Sequence, residues 1–372
     1  MDIPIIAISG TSGKTTTKEM IYSILCTKYV TFKSFQNGND VWYTSQYVNQ
    51  INSSYGAIVL EYGMFKKGDI KKHCKLIKPN FGIITNIGEA HICNFEDGIQ
   101  GIAAAKSELI AGMDRNGVFL KNSDQPTSNL INLNQFKGKI INIGFTNNAH
   151  YTANDIIQKK DGTYFNVTLD NNHTYTFFIP SYGKHNVSNA LFAIALSNEL
   201  GFSVEQIQFG LKTYEKPYGR LDVNYLRDNI IIIDDTFNTK PSSMKAAIDT
   251  LSEIPHKNNK KIAVLGCMND LGKYSTLLHK EIGKYFAAAN IDYLYTIGAE
   301  AQLIKLEAIK VGFPPNKTLH FQSKKSLLEY FLKSNLIHTT ILFNGYSKVY
   351  SKVNKTVSMK DIVDSLKQYY KN

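Results

Sequence analysis

The sequence predicts an α/β protein. A central P-loop ATPase-like domain with a mostly parallel sheet is followed by a Rossmann-like C-terminal α/β domain. Three observations carry this. Short apolar strands alternate with helix-forming stretches, the pattern of a parallel sheet covered on both faces. The first strand runs into a Gly/Thr/Ser turn and then a helix, in IIAISGTSGKTTTKEM from Ile5 to Met20. Later strands end in glycine or polar residues, where open α/β sheets collect ligands.

Taken in order, Ile5–Ser9 reads as a buried strand, Thr16–Tyr29 as a helix and Tyr55–Leu60 as a strand ending at Glu61. Phe81–Thr85 is a strand ending at Asn86, Glu96–Met113 a helix and Gly117–Leu120 a strand. Residues 137–180 turn polar, Asn-rich and β-branched, and predict an antiparallel segment at the sheet edge. Helices Asn186–Leu200 and Val204–Thr213 close the first domain. A second α/β unit follows. Its strands are Ile230–Asn238, Lys261–Leu265, Tyr293–Ile297 and Thr340–Phe343, and its helices Ser242–Ser252, Leu277–Ala289 and Glu300–Val311. The expected domains are 1–220 and 221–372, with the boundary near Arg220.

The chain has 372 residues and is 43% hydrophobic, enough for two packed cores. No run of about 18 apolar residues and no signal core is present, so neither a span nor secretion is expected. The four cysteines are scattered without metal spacing, which fits a reducing, cytoplasmic setting. Net charge is +11, but the lysines are dispersed among Asn and Tyr. They read first as a solvated surface and second as an attraction for acidic small molecules. Nucleic-acid and membrane partners are not expected.

Gly10-Thr11-Ser12-Gly13-Lys14-Thr15, with Thr16 after it, has the chemistry of a phosphate loop. Glycines let backbone N–H groups turn toward phosphate, and the next helix offers its positive end. Lys14 suits the β/γ-phosphates and Thr15 suits Mg²⁺. Kinase, hydrolase and ligase chemistry remain open from this segment alone. Glu61 and His91 follow neighbouring strands, and a carboxylate with an imidazole there suits a metal ion beside the phosphates. Lys106 sits in an alanine-rich helix. By spacing alone it reads as an ordinary lysine.

Taken together, GTSGKTTTKEM, VLEYGMFKKGDI, ITNIGEAHICNF, AAKSEL, YGKHNVSNALFAIALSNELG, GRLDV, IIDDTFNTKPSSMKAAI and VLGCMNDLG resemble the Mur ligase family, closest to its MurF-type branch. The resemblance implies ATP-dependent amide formation between a carboxylate-bearing molecule and an amine or amino acid, through an acyl-phosphate. It implies ATP and Mg²⁺, two ions in all, with Thr15, Glu61, His91 and a carbamylated Lys106 as metal residues. It implies catalytic roles for Lys14, His91, Lys106 and Arg220. His185, Asn189, Arg220, Asp234 or Asp235, and Asn238 fall on its nucleotide-binding positions.

Departures accompany the match. DDxYNANP reads DDTFNTKP, with Phe237, Thr239 and Lys240. LGDMxELG reads LGCMNDLG, with Cys267 and Asp270. A KGSR-like element reads NGYS at Asn344–Ser347. Family members that act on UDP-linked precursors carry an N-terminal domain for the uridine nucleotide; here the phosphate-loop strand opens at Ile5, so that domain is expected to be missing. From this the sequence predicts a substrate that is not UDP-linked and allows an accessory substrate-binding protein. The alternative is an ATP-hydrolysing regulatory or partner subunit on the same fold. His279, Asp234, Asp235 and Asp270 are candidates to orient the amine.

Overall fold

In the computed structural model, residues 3–146, 148–169, 172–255, 258–345 and 358–371 are described. The chain divides between Pro217 and Tyr218 into two compact units.

The first unit opens with β1 (Ile5–Ser9), α1 (Lys14–Leu25), β2 (Thr31–Lys33), α2 (Val41–Val48) and β3 (Ala57–Glu61). Then come α3 (Asp69–Leu76), β4 (Phe81–Ile84), α4 (Ile99–Gly112) and β5 (Val118–Asn122). It ends with β6 (Lys139–Gly144), β7 (Tyr151–Lys159), β8 (Gly162–Thr168), β9 (Thr174–Ile179), α5 (Lys184–Glu199) and α6 (Val204–Thr213). Its nine strands form one sheet in the order β2-β3-β1-β4-β5-β6-β7-β8-β9. Pairing is parallel from β2 to β7, and antiparallel from β7 to β9. The antiparallel edge expected over 137–180 therefore begins only after β6, which continues the parallel sheet.

Two features place the site. Ile8 pairs with both Glu61 and Ile83, so β1, β3 and β4 end level and their loops share one edge. Helix α5 is apolar nearly all round, with Val187, Leu191, Phe192, Ile194 and Leu196 fully buried. A helix of that kind belongs inside. It packs against α1, α6, β6 and β7, and so carries Asn189 beneath the phosphate loop.

The second unit contains β10 (Asp222–Tyr225), β11 (Ile231–Asp235), α7 (Pro241–Glu253), β12 (Lys260–Leu265) and α8 (Ser275–Ala287). It continues with β13 (Tyr293–Ile297), α9 (Gln302–Lys310), β14 (Thr318–Phe321), α10 (Lys324–Lys333), β15 (Thr339–Asn344) and α11 (Met359–Tyr369). The strand order is β10-β11-β15-β12-β13-β14, parallel except for β10. Tyr346 and Ser347 of the expected NGYS element lie outside the described residues. Among the described residues, no helix is long and apolar enough to cross a membrane.

Candidate active site

The phosphate loop turns sharply between β1 and α1. Gly10 has φ +147°, and a Cβ there would lie 1.9 Å from Thr85 Oγ1. Gly13 has φ +83°, and its Cβ would lie 2.4 Å from Asn189 Oδ1. Both positions require glycine, through backbone sign and through space. The loop is braced by the segment after β4. Asn86 Oδ1 accepts the Thr11 and Ser12 amides, each at 2.9 Å, and Thr85 Oγ1 donates to Ser12 O at 2.6 Å. The Thr11 hydroxyl donates to Gly88 O at 3.1 Å and accepts the Gly88 amide at 2.8 Å. With the Thr11 and Ser12 amides engaged by Asn86, the phosphate-facing donors are the amides at the N-terminal turn of α1. Lys14 Nζ curls back to Gly10 O at 2.8 Å and Thr11 O at 3.4 Å.

Thr15 and Glu61 meet. The buried Thr15 hydroxyl donates to Glu61 Oε2 at 2.9 Å. Asn39 Nδ2 donates to the other oxygen, Oε1, at 2.7 Å. A hydroxyl and a carboxylate side by side form the hard-oxygen donor set that Mg²⁺ takes. Lys106 is buried in α4, with no hydrogen-bond or ion-pair partner among the described residues. Burial, and then the charge of Lys14, hold its amine well below the usual lysine pKa. A buried amine with a lowered pKa, under the charge of the phosphate-loop lysine, fits a group open to carbamylation. His91 adopts a left-handed backbone at φ 59°, with its ring against Phe65 at 4.8 Å between centroids. On α5, Asn189 Oδ1 accepts the Thr17 hydroxyl at 3.3 Å, which ties that helix to α1. His185 is half-buried, and desolvation lowers its pKa to about 4, so its ring is neutral.

In the second unit the paired aspartates differ. Asp234 is fully buried and holds Lys360 Nζ at 2.7 Å, while its Oδ1 accepts the Thr236 hydroxyl at 2.7 Å. Asp235 accepts the Leu221 amide at 3.2 Å and Asn344 Nδ2 at 2.5 Å. Burial pushes Asp235 up to about 7, against the opposing pull of Arg220. The Arg220 guanidinium lies 4.6 Å over the Phe237 ring, the residue that departs from the family's tyrosine. Asn238 is exposed. Two other departures pair with each other: Lys240 Nζ lies 3.0 Å from Asp270 Oδ2. His279 is not available to orient an amine. It is fully buried, its Nε2 accepts the Met268 amide at 3.1 Å, and its Nδ1 faces Ser275 O at 2.8 Å. Cys267, His279 and Glu300 each bring a ligand-type atom within 4.8 Å of the others.

Asp235 gives a pH prediction. In the unfolded chain it titrates near its ordinary 3.8, and in the folded chain near 7. Between those values the folded state binds the extra proton. The contribution to stability therefore falls as pH rises through this window, and its cost is complete above about 7. Asp235→Asn removes the charge and offers an amide to Asn344 Oδ1, a buried acceptor without a partner. The variant melts above the natural chain at pH 8, and the gap closes toward pH 4.5. Equal gaps at both pH values in thermal unfolding would refute the assignment.

Comparison with known proteins now decides the family. The Mur ligase middle domain matches residues 8–197, and the Mur ligase glutamate ligase domain matches residues 219–345. The chain belongs to the Mur ligase family, in its MurF-type branch. The UDP-N-acetylmuramoyl-tripeptide–D-alanyl-D-alanine ligase of Bacillus subtilis strain 168 is 34% identical over 97% of this chain and 75% of its own length. The same-named ligase of Buchnera aphidicola (subsp. Baizongia pistaciae) is 32% identical over 99% of this chain and 76% of its own. A crystal structure of MurF from Acinetobacter baumannii superposes with a TM-score of 0.85 at 28% identity, covering 98% of this chain and 77% of that one.

This Mur ligase is thus an ATP-dependent amide- or peptide-forming enzyme, acting on a small-molecule carboxylate and an amine co-substrate. The regulatory-subunit alternative is set aside. The expectation of a cargo that is not UDP-linked is also overturned, because relatives matched along nearly the whole chain carry UDP-linked precursors in their names. That expectation took the start of the phosphate-loop strand as evidence about the cargo. The motifs themselves describe ATP handling and are silent on cargo. Sequence reading also missed Asn39, Thr85 and Asn86 as supports of the site. Asn86 was visible only as a strand end.

Proposed function

We propose that this Mur ligase joins the carboxylate of a UDP-linked muramoyl peptide to the amine of D-alanyl-D-alanine, with ATP as the activating substrate. The observation that carries the chemistry is the Thr15–Glu61 contact at the mouth of the phosphate loop, with Lys106 buried under the influence of the Lys14 charge. The names of the relatives carry the substrate pair. Thr15, Glu61, His91 and carbamylated Lys106 would hold two Mg²⁺ ions. When bound, these ions neutralise charge on the transferring phosphoryl group. Lys14 leaves its carbonyl partners to meet the β/γ-phosphates, and the amides at the start of α1 hold the phosphate oxygens. The substrate carboxylate attacks the γ-phosphate to give the acyl-phosphate and ADP. The amine then attacks the acyl carbon and phosphate leaves. His185, Asn189, Arg220, Asp235 and Asn238 are the proposed nucleotide contacts.

The test is ADP release by the chain with ATP, Mg²⁺, the UDP-linked tripeptide and D-alanyl-D-alanine, read beside the mass of the amide. ADP and amide appear in equal amounts only when both co-substrates are present. ADP release that ignores the UDP-linked peptide, with no new amide, overturns the proposal. A separate substrate-binding protein is part of the reading as long as the chain alone is inactive, and product from the chain alone removes it.

A further inference from the structure

Lys18 lies one helical turn beyond Lys14 on α1, and nothing above gives it a role. Its side chain is fully buried. A buried ammonium is costly unless all three of its donors are met. Here they are met. Lys18 Nζ donates to Ser34 O at 2.8 Å and to Gln36 O, and pairs with Glu19 Oε1 at 3.0 Å. Glu19 in turn holds Lys33 at 2.5 Å through its other oxygen. Two adjacent residues of α1 therefore grip the end of β2 and the loop after it.

That loop leads to Glu61. Ser34 Oγ accepts the Glu61 amide at 3.1 Å, and Asn39 O accepts the Gly63 amide at 2.7 Å. Asn39 Nδ2 fixes Glu61 Oε1 at 2.7 Å, while the Thr15 hydroxyl fixes Oε2 at 2.9 Å. Each carboxylate oxygen thus has its own orienting donor. One comes from α1 directly, and the other comes from a loop that α1 holds through Lys18. A carboxylate that binds a cation must present a fixed lone pair, and the partners behind a ligand set its affinity.

We propose that Lys18 is a positioning residue for the metal site: it clamps the β2–α2 loop onto the phosphate-loop helix so that Asn39 holds the Glu61 carboxylate in its cation-binding orientation. This rests on the reading of Glu61 as a Mg²⁺ ligand. Lys18 acts through Asn39 and touches no reacting atom.

The experiment measures binding of a fluorescent ATP analogue, trinitrophenyl-ATP, with Mg²⁺ and with chelator, in Lys18→Met, Asn39→Ala, the double variant and Glu61→Gln. Lys18→Met and Asn39→Ala each weaken the apparent Mg²⁺ affinity about tenfold. Affinity without metal stays within about twofold, because Lys14 and the α1 amides are untouched. The double variant loses no more than either single one, since both break the same chain of contacts. Hydrogen exchange across residues 34–39 and at the Gly63 amide quickens in Lys18→Met and not in Glu61→Gln. Should Lys18→Met fail to fold, Asn39→Ala and Lys18→Arg carry the same comparison. If Glu61→Gln removes the Mg²⁺ dependence while the Lys18 and Asn39 variants keep it, the clamp is wrong and the metal reading stands. If Glu61→Gln itself leaves the Mg²⁺ dependence intact, the metal reading has failed first. Additive losses in the double variant also overturn the proposal.

Discussion

Lys14→Ala lowers amide formation about 10³-fold, the upper range for removing one preorganised donor to developing charge. Its melting temperature moves by no more than about 4 °C. The two effects separate because Lys14 and the loop are held by different groups. In the structure Lys14 donates to Gly10 O and Thr11 O, and losing such bonds costs about 1 kcal/mol each. The loop keeps its shape through Asn86, which fixes the Thr11 and Ser12 amides, and through Thr85, which fixes Ser12 O. Removing Lys14 also lifts a like charge from Lys106, which offsets part of the loss. Neither brace replaces the ammonium at the γ-phosphate. Product formation and thermal unfolding are measured on the same preparation. Wild-type turnover in Lys14→Ala defeats the phosphate-loop assignment. A melting point that collapses together with activity shows that the lysine is structural.

Much of this fold was legible because its strands are buried on both faces. Ile5–Ser9 and Tyr293–Ile297 are continuous apolar runs that end in polar or glycine residues, and the structure has them at those limits. The elements that escaped notice lack such a signal. β2 is three residues long with one buried side chain, Phe32. β14 buries only Thr318 and shows no alternation. α2 is VWYTSQYV, rich in aromatic and β-branched residues that favour strands, and it is set as a helix by the Asp40 cap on the Tyr43 amide.

The site divides in the same way. Thr15 and Glu61 were legible because each closes or opens an element with a clear pattern. Asn86 and Asn39 were not, because their partners lie 75 and 22 residues away in sequence. Lys18 drew no reading from the sequence, because its acceptors, Ser34 O and Gln36 O, lie 16 and 18 residues away. Cargo stayed out of reach because every strong motif faces the nucleotide.

Lys106→Met abolishes most activity and at the same time stabilises the protein. The activity falls by at least about 10²-fold, the upper end of what even outer-shell metal partners cost. Methionine fills the space among Ile102, Ala103 and Leu109 of α4, all buried, with a chain of similar length and no charge. The stabilisation follows from the amine. Burial and the Lys14 charge hold its folded-state pKa well below 10.5. At neutral pH the unfolded chain therefore binds a proton that the folded chain resists, and stability rises with pH up to the ordinary lysine value. Methionine removes that penalty, so the variant melts higher at pH 7, and the difference shrinks as the buffer approaches pH 10. This comparison is made without Mg²⁺ or bicarbonate. Adding ¹³C-bicarbonate gives the natural chain a carbamate carbonyl resonance that Lys106→Met lacks, and it narrows the stability gap because the amine is converted to a ligand. A variant that keeps full turnover, or a melting gap that ignores pH, ends the case for Lys106 as a metal residue. The buried lysine is thus a local cost in the fold, and it persists where strain and burial serve chemistry and not stability.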